Sequence, residues 1–510
     1  MRRYCIRLTD AFWPAALPAL ACGAIPSLFV ERLLRPDPRL AGRDGAALAI
    51  HLGVWVLGFS VVLAVVHRPW FASCLLVAAL LLIAATSNAK SRALREAFVF
   101  QDYEFFIDLL RHPRLYLPFF GIGRALLAAC AFGTVLCAGL SLEPSLLARS
   151  GSGTFWAGCM VLAASGSALA WAGGRRASPT FDPAADLRCS GLLASLYLYA
   201  RAERQAFAPP QGPAVFSATV RAGGRRPSHL VAVQSESFFD PRRLHPGIDR
   251  GLLPEFDALC DSSARCGQLE VPAWGANTVR SEFAFLSGID TARLGVHRFN
   301  PYRAAALRGI PTVASFLRRA GYRTLCVHPY DGAFYRRDRV LPALGFDELI
   351  DVRAFTAADR SGPFVGDRAL ADMVGALLAD SREPLFVFAI TMENHGPLEL
   401  ERALPEDFAP LREAPELAAH ADLAVYLRHL RNADRMIGRL RASLERADAG
   451  GCLCWYGDHV PVLPAAYDKC GFADGRTDYV LWSSAPRGAP LRADLKLHEL
   501  AGGLLELAGF

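Results

Sequence analysis

The chain has 510 residues, of which 52% are hydrophobic and 20% charged, and 55 basic against 49 acidic side chains leave a net charge of +6. That length exceeds one typical domain, and the composition excludes a disordered chain, a coiled coil and a disulfide-dense miniprotein. A mean hydropathy of +0.23 is too apolar for an ordinary soluble enzyme and too polar for a chain that is membrane throughout. The modest charge, spread along the chain, carries no nucleic-acid footprint.

The apolar excess sits at the N-terminus. Ala11–Val30, Gly45–His67, Pro69–Ala89, Ala125–Leu142 and Ser150–Gly174 carry no formal charge, His51 being the polar interruption inside the second run. A membrane crossing needs about 20 mostly apolar residues, so residues 1–175 read as a transmembrane domain of about five helices. Arg2, Arg3 and Arg7 could serve a signal peptide. The long first run with Pro14, Pro18 and Pro26 and the four runs after it fit a retained anchor better.

An odd number of spans places the two ends of the chain on opposite sides. With the N-terminus inside, the inner loops hold Arg2, Arg3, Arg7, Arg68 and Arg149. The outer loops hold Arg32, Arg35, Arg39, Arg43, Lys90, Arg92, Arg95, Arg111 and Arg114. The positive-inside rule therefore favours the reverse topology, with the C-terminal domain cytoplasmic. The segment Lys90–Arg114 mixes these charges with Glu96, Asp102, Glu104 and Asp108 and with Phe98, Phe100, Tyr103, Phe105 and Phe106. It reads as an amphipathic stretch along the membrane surface, which blunts its topological weight.

Residues 176–228 read as a linker, with Pro209-Pro-Gln-Gly-Pro213 as its clearest signal. Within it, Leu187, Leu192, Leu193, Leu196 and Tyr197 recur at helical spacing and predict one short amphipathic helix. Residues 229–510 then alternate short apolar runs with helical patterns. His229–Gln234, Arg323–His328, Leu385–Thr391, Gly451–Gly457 and Tyr479–Trp482 are the strand candidates, with helical patterns over Val313–Arg319, Leu370–Ala379 and Ala421–Leu444. Continuous apolar strands between helices predict an α/β domain with a mainly parallel central sheet covered on both faces. Functional groups gather beyond the carboxyl ends of such strands, and Glu236, His328, Asn394-His395 and Asp458-His459 stand there.

Glu236, Asp458 and His459 offer two carboxylates and an imidazole, a donor set that suits Mn²⁺, Zn²⁺ or Mg²⁺ when it converges. An isolated Asp-His pair after a strand is more often a cap and a surface histidine. Thr278 lies near the start of a predicted helix, where it reads either as a cap or, facing a dication, as an activated nucleophile. Cys326, Cys452 and Cys454 fall in apolar strands and read as core. Cys260 and Cys266 are candidates for pairing in an oxidising compartment.

Five motifs in order carry a resemblance: Val231-Ala-Val-Gln-Ser-Glu-Ser237, Ala276-Asn-Thr-Val-Arg-Ser-Glu-Phe283, Phe334-Tyr-Arg-Arg-Asp338, Thr391-Met-Glu-Asn-His-Gly396 and Tyr456-Gly-Asp-His459. The chain resembles the lipoteichoic acid synthase family, the phosphoglycerol transferase branch of the sulfatase and alkaline-phosphatase superfamily, which has five spans before an extracytoplasmic domain. The resemblance implies a sulfatase-like fold over 229–510 in a multi-pass protein of the bacterial plasma membrane, with the catalytic domain outside. It implies Thr278 as nucleophile and metal ligand, Glu236, Asp458 and His459 as the remaining ligands of one divalent ion, usually Mn²⁺, and His328, Tyr335, Arg337 and His395 as headgroup contacts. Tyr335 replaces the family's Trp. The guanidinium of Arg337 can neutralise a phosphodiester through two parallel hydrogen bonds, and His395 can donate a proton to a leaving alkoxide or simply hydrogen-bond.

The implied activity moves phosphoglycerol from a phospholipid such as phosphatidylglycerol through Thr278 to a hydroxyl on an envelope glycan or polymer. A phosphoethanolamine transferase shares Thr278 and the metal set and differs in headgroup contacts. A sulfatase needs a Cys or Ser in a C/S-x-P-x-R context, which Thr278-Val-Arg-Ser281 lacks. A non-catalytic scaffold would have lost a ligand, and all four are present.

Overall fold

A computed structural model describes residues 11–38, 42–103, 122–219, 229–448, 450–485 and 488–510. Arg2, Arg3, Arg7, Arg39, Arg111 and Arg114 and the part of the predicted surface stretch from Glu104 onward lie outside the described residues. The chain divides into two compact units, Met1–Ala206 and Phe207–Phe510.

In the first unit the apolar runs form α1 (Phe12–Glu31), α2 (Gly45–Val66), α3 (Pro69–Leu94), α4 (Ile122–Leu142), the short α5 (Leu146–Ser150) and α6 (Ser152–Gly174). Five stretches are long and apolar enough to cross a membrane, the fourth, Cys130–Ser150, taking in the end of α4 and α5. The chain is a membrane protein. A helix suits such segments because it satisfies its own backbone in a solvent that offers no hydrogen bonds. Helices α2 and α6 approach closely through glycine: a Cβ on Gly53 would lie 2.4 Å from the Ala170 nitrogen, and one on Gly166 2.6 Å from that of Leu57.

Charges in this unit are buried in pairs. Glu31, at the end of α1, meets the Arg43 guanidinium at 2.5 Å and His51 Nδ1 at 3.3 Å. His51 Nε2 lies 2.9 Å from Ser27 Oγ. Helix α3 runs through Lys90 and Arg92, and the Lys90 ammonium is buried against Glu96 (2.7 Å) and Asp102 (2.6 Å). Arg43 and Lys90 are therefore held in ion pairs and are not free loop charges.

The single amphipathic helix expected around Leu187–Tyr197 is two helices, α7 (Pro183–Ser190) and α8 (Leu192–Glu203), broken at Gly191. Gly191 has φ +80°, and a Cβ there would fall 2.3 Å from Glu31 Oε2. The break lets the Leu193 N–H at the start of α8 reach Glu31 Oε1 at 2.9 Å. Leucine spacing carries no trace of that tertiary contact.

The second unit is built on a nine-stranded sheet. Its labelled elements are β1 (His229–Ser235), α9 (Pro254–Asp261), β2 (Arg265–Glu270), α10 (Thr278–Ser287), α11 (Val313–Arg319), β3 (Arg323–Val327), α12 (Arg337–Ala343), β4 (Glu348–Ile350), β5 (Arg360–Ser361), β6 (Phe364–Val365), α13 (Asp367–Asp380), β7 (Leu385–Ile390), α14 (Ala421–Glu445), β8 (Gly451–Gly457), β9 (Thr477–Ser483), β10 (Leu491–Arg492), β11 (Leu495–Lys496) and α15 (Leu497–Leu507). The order is β10-β2-β9-β8-β1-β7-β3-β4, with β11 also on β2 and β5-β6 a separate hairpin. Within the nine-stranded sheet, pairing is parallel except where β9 meets β8 and β2.

Both faces are covered, which explains the continuous apolar strands. Val231 and Val233 pack in one core with Leu427, Leu430 and Ile437 of α14. Leu230 and Ala232, pointing the other way, pack with Phe283 of α10 and Leu500 and Leu504 of α15. Strand β2 was not among the sequence candidates: Arg265-Cys-Gly-Gln-Leu-Glu270 is only partly buried, and its pairing with β9 defines it.

Register sets the site. Strand β1 pairs Gln234 with Ile390 of β7 and Ser235 with Gly457 of β8. Glu236, Thr391 and Asp458 therefore emerge together, one step beyond three central strands.

A candidate metal centre at the strand ends

Glu236, Asp458 and His459 are all buried, with one ligand atom from each lying within 4.8 Å of the others. Asp458 is aimed by the backbone. Its Oδ1 accepts from the Ser237 and His459 N–H groups, both at 2.9 Å, while its buried Oδ2 has no hydrogen-bond partner. Glu236 is held by Ser237 Oγ, which donates to Oε1 at 3.0 Å, and its own N–H donates to Thr391 Oγ1 at 2.9 Å. The close approach that allows this is paid at Gly457, where a Cβ would fall 1.8 Å from the Phe238 carbonyl oxygen.

The imidazole completes the set. His459 Nδ1 lies 3.1 Å from the Val460 carbonyl, which assigns the proton to Nδ1 and leaves a lone pair on Nε2. That Nε2 stands 3.5 Å from Glu236 Oε1 and 3.4 Å from Asp458 Oδ2. Two carboxylate oxygens and an imidazole nitrogen thus converge. Burial and the neighbouring Asp458 carboxylate push the Glu236 carboxyl up to about 8. An oxygen-oxygen-nitrogen set in which buried Asp458 Oδ2 has no partner fits a divalent cation, and the hydrogen bonds from Ser237 and to Val460 are the outer contacts that orient metal ligands.

Thr278 opens α10, half-buried, after Asn277 at φ 66°. Asn277 makes no side-chain cap, so it leaves the first N–H groups of the helix without that partner. Three residues on, Ser281 Oγ donates to the Asp458 carbonyl at 2.7 Å. Residues three apart share a helix face, so Thr278 stands on the side of α10 that is fastened to Asp458.

His328, Arg337 and His395 are electrostatically connected. Arg337 acts on Glu236, His328 and His395. His328 is buried with Nδ1 3.3 Å from the Ile390 carbonyl and Nε2 unpartnered. His395 Nδ1 lies 2.6 Å from the Gly396 carbonyl. Burial holds both imidazoles below their ordinary range, so each is neutral with Nε2 as an acceptor. Tyr335 has φ 55° and its ring lies 5.2 Å from the Arg337 guanidinium carbon. Strained backbone at Ser237, Asn277, Tyr335 and Arg336 surrounds the site, a common property of functional centres.

Arg337 is anchored on one edge by a second acidic residue. Its Nε and Nη2 are occupied by Glu282, with Nε–Oε2 at 3.1 Å, and Glu282 also accepts from the Tyr302 hydroxyl at 2.7 Å. Buried Nη1 lacks a partner, so its two N–H groups are available to a ligand. Sequence reading missed Glu282, although a Glu four residues after Thr278 among Phe283, Phe285 and Leu286 was a visible signal.

It also missed the support beneath the Asn394-His395 turn. Glu393 accepts from the Asp367 N–H (2.6 Å), Ser361 Oγ (2.7 Å) and Asn432 Nδ2 (2.5 Å), and lies 3.1 Å from His429 Nδ1. His429 sits between Glu393 and Glu401 and is pushed up to about 9 against the cost of its burial. Nothing local marks a histidine in the middle of α14 for this role.

The sulfatase family model matches residues 228–510, more than half the chain, and the chain belongs to that family of enzymes. It is 29% identical over 458 residues to the capsular polysaccharide biosynthesis protein RkpI of Rhizobium meliloti (strain 1021), a match covering 86% of this chain and 82% of that protein. A putative cyclic beta-1,2-glucan modification protein of the same organism is 29% identical over 249 residues, 49% of this chain and 38% of its own length. Among solved structures, the integral membrane lipooligosaccharide phosphoethanolamine transferase A (EptA) of Neisseria meningitidis shares the fold at a TM-score of 0.55. That match has 15% identity over 96% of this chain and 95% of the other.

Proposed function

We propose that the protein is a membrane-bound phosphoglycerol transferase that takes its donor group from a phospholipid and passes it, through Thr278, to a hydroxyl of an envelope glycan. The observations that support this reading are the three converging acceptor atoms of Glu236, Asp458 and His459 and the Ser281–Asp458 hydrogen bond that ties the helix opened by Thr278 to one of them. Glu236, Asp458, His459 and the Thr278 hydroxyl would hold one divalent ion, which lowers the hydroxyl's pKa and offsets charge on the phosphoryl oxygens.

In the first half, Thr278 Oγ1 forms a bond to phosphorus and the bond to the diacylglycerol oxygen breaks. The leaving oxygen takes up the proton that the threonine gives up, and neutral His395 is the group able to carry it. In the second half an acceptor hydroxyl attacks phosphorus, the Thr278–phosphorus bond breaks, and the acceptor's proton returns to Oγ1. Arg337 Nη1 donates to the phosphodiester, while Glu282 fixes the guanidinium and already balances its charge. The unpartnered Nε2 of His328 matches a hydroxyl hydrogen of a glycerol headgroup.

A glycan acceptor agrees with the names of the two similar proteins, one of capsular polysaccharide biosynthesis and one of glucan modification. The resemblance implies a catalytic unit outside the cytoplasm, and this reading is supported by Arg43 and Lys90, two of the cations that argue otherwise, being held in buried ion pairs. The test supplies purified protein and Mn²⁺ with phosphatidylglycerol or phosphatidylethanolamine carrying labelled acyl chains. Diacylglycerol release from phosphatidylglycerol, abolished by Thr278→Ala, is expected. Release from phosphatidylethanolamine alone overturns the headgroup, and release by Thr278→Ala protein overturns the nucleophile.

A further inference from the structure

Cys260 closes the last turn of α9 and Cys266 is the second residue of β2. Both are buried. The reversal between them is tightly held. Ser263 donates to the Cys260 carbonyl through N (3.2 Å) and Oγ (2.8 Å), and the Ala264 N–H reaches the Leu481 carbonyl at 2.9 Å. Cys266 Sγ lies 4.0 Å from the Cys260 carbonyl oxygen, and each cysteine is the strongest influence on the other's thiol. The pair is asymmetric: neighbouring Cys260 and the positive charge of Arg492 lower the Cys266 thiol, while Cys266 and burial raise that of Cys260. The strand cysteines differ, since Cys326, Cys452 and Cys454 stand in register with Phe388, Ser483 and Leu481.

We propose that Cys260 and Cys266 are joined by a disulfide in the mature protein, closing the short reversal that leads into β2. The chemistry is thiol–disulfide exchange with a protein disulfide oxidant as the domain folds, before the pair is buried. The Cys266 thiolate attacks one oxidant sulfur and expels the other as a thiolate. Cys260 then loses its proton and attacks the Cys266 sulfur, releasing the second oxidant thiolate. Two electrons pass to the oxidant, which leaves as a dithiol. The consequence reaches the site, because β2 runs directly into the Val271–Asn277 segment that delivers Thr278 to α10. The proposal rests on the extracytoplasmic placement above, where such oxidants work, and is independent of the transfer chemistry.

The test takes full-length protein from acid-quenched, alkylated membranes and reads the peptide containing both cysteines by mass spectrometry. The expected result is a peptide lighter by two hydrogens, unalkylated until reduced, while Cys326, Cys452 and Cys454 alkylate on unfolding. In cells lacking the extracytoplasmic dithiol oxidant, the same two thiols should become alkylatable. A reporter fused at Gly212 is scored in the same cells. Fully alkylated Cys260 and Cys266 with an outward-facing reporter overturn the disulfide alone; alkylated thiols with a cytoplasmic reporter overturn the placement and the disulfide together. As a second measurement, purified reduced protein in a glutathione redox buffer should close this pair at least tenfold faster than any other. Failure to close it also contradicts the proposal.

Discussion

The membrane unit and the strand-end cluster bury charge in opposite ways. In the membrane unit Glu31 faces Arg43 and His51, and Lys90 faces Glu96 and Asp102, so each charge has an opposite partner. At the strand ends of the catalytic unit Glu236 faces Asp458, and an imidazole lone pair turns towards both. Paired buried ions hold a fold in register and lose much when one partner is removed. Like charges gathered without a counter-ion cost the fold energy, and they persist where a ligand is to supply the missing charge.

The sharpest way to break this contrast is Asp458→Asn. It keeps the Oδ1 acceptor for two backbone N–H groups and removes the like charge. Metal affinity and transfer should fall by about a thousandfold or more, while the metal-free protein should melt no lower than wild type in calorimetry. The paired sites should behave in reverse. Glu31→Gln or Glu282→Gln leaves a buried guanidinium uncompensated and should cost about 3–5 kcal/mol of stability in chemical denaturation. Glu31→Gln should leave metal affinity unchanged.

His429 gives a pH-dependent case. Its imidazolium is favoured in the folded state, about 9 against an ordinary 6.5. A group raised in this way contributes fully below 6.5 and loses its contribution as pH rises through about 9. His429→Gln should therefore cost on the order of 3 kcal/mol near pH 6 and almost nothing above pH 9. Equal loss at both ends of that range would remove the imidazolium from the account.

How legible these features were depended on whether a signal was local. The membrane helices could be read because a charge-free run is a property of consecutive residues. Glu236, Asp458 and His459 could be read because each directly follows an apolar strand, and parallel register brings such positions together. Glu282 was half-visible, as a charge on an apolar helix face. His429 and Asp367 were invisible, being far in sequence from the turn they support. Gly191 was missed because its role depends on Glu31, on another helix.

Two smaller effects sharpen the reading of the catalytic site. Ser237→Ala removes a hydrogen bond to Glu236 and should weaken metal binding by about 10–100-fold in calorimetric titration, with the fold intact. Glu236, held at about 8 without metal, must lose a proton to become a ligand. Metal affinity should therefore rise by about tenfold for each pH unit up to about 8 and then level off.

The central claim is that Thr278 carries the transferred group. The most direct measurement mixes detergent-solubilised protein, Mn²⁺ and phosphatidylglycerol without an acceptor, quenches in acid and maps modified peptides by mass spectrometry. The account requires a glycerophosphoryl group on Thr278, and its disappearance when a hydroxyl acceptor is added. A glycerophosphoryl group on another residue, or diacylglycerol released in a full turnover with Thr278 replaced by Ala, would contradict it.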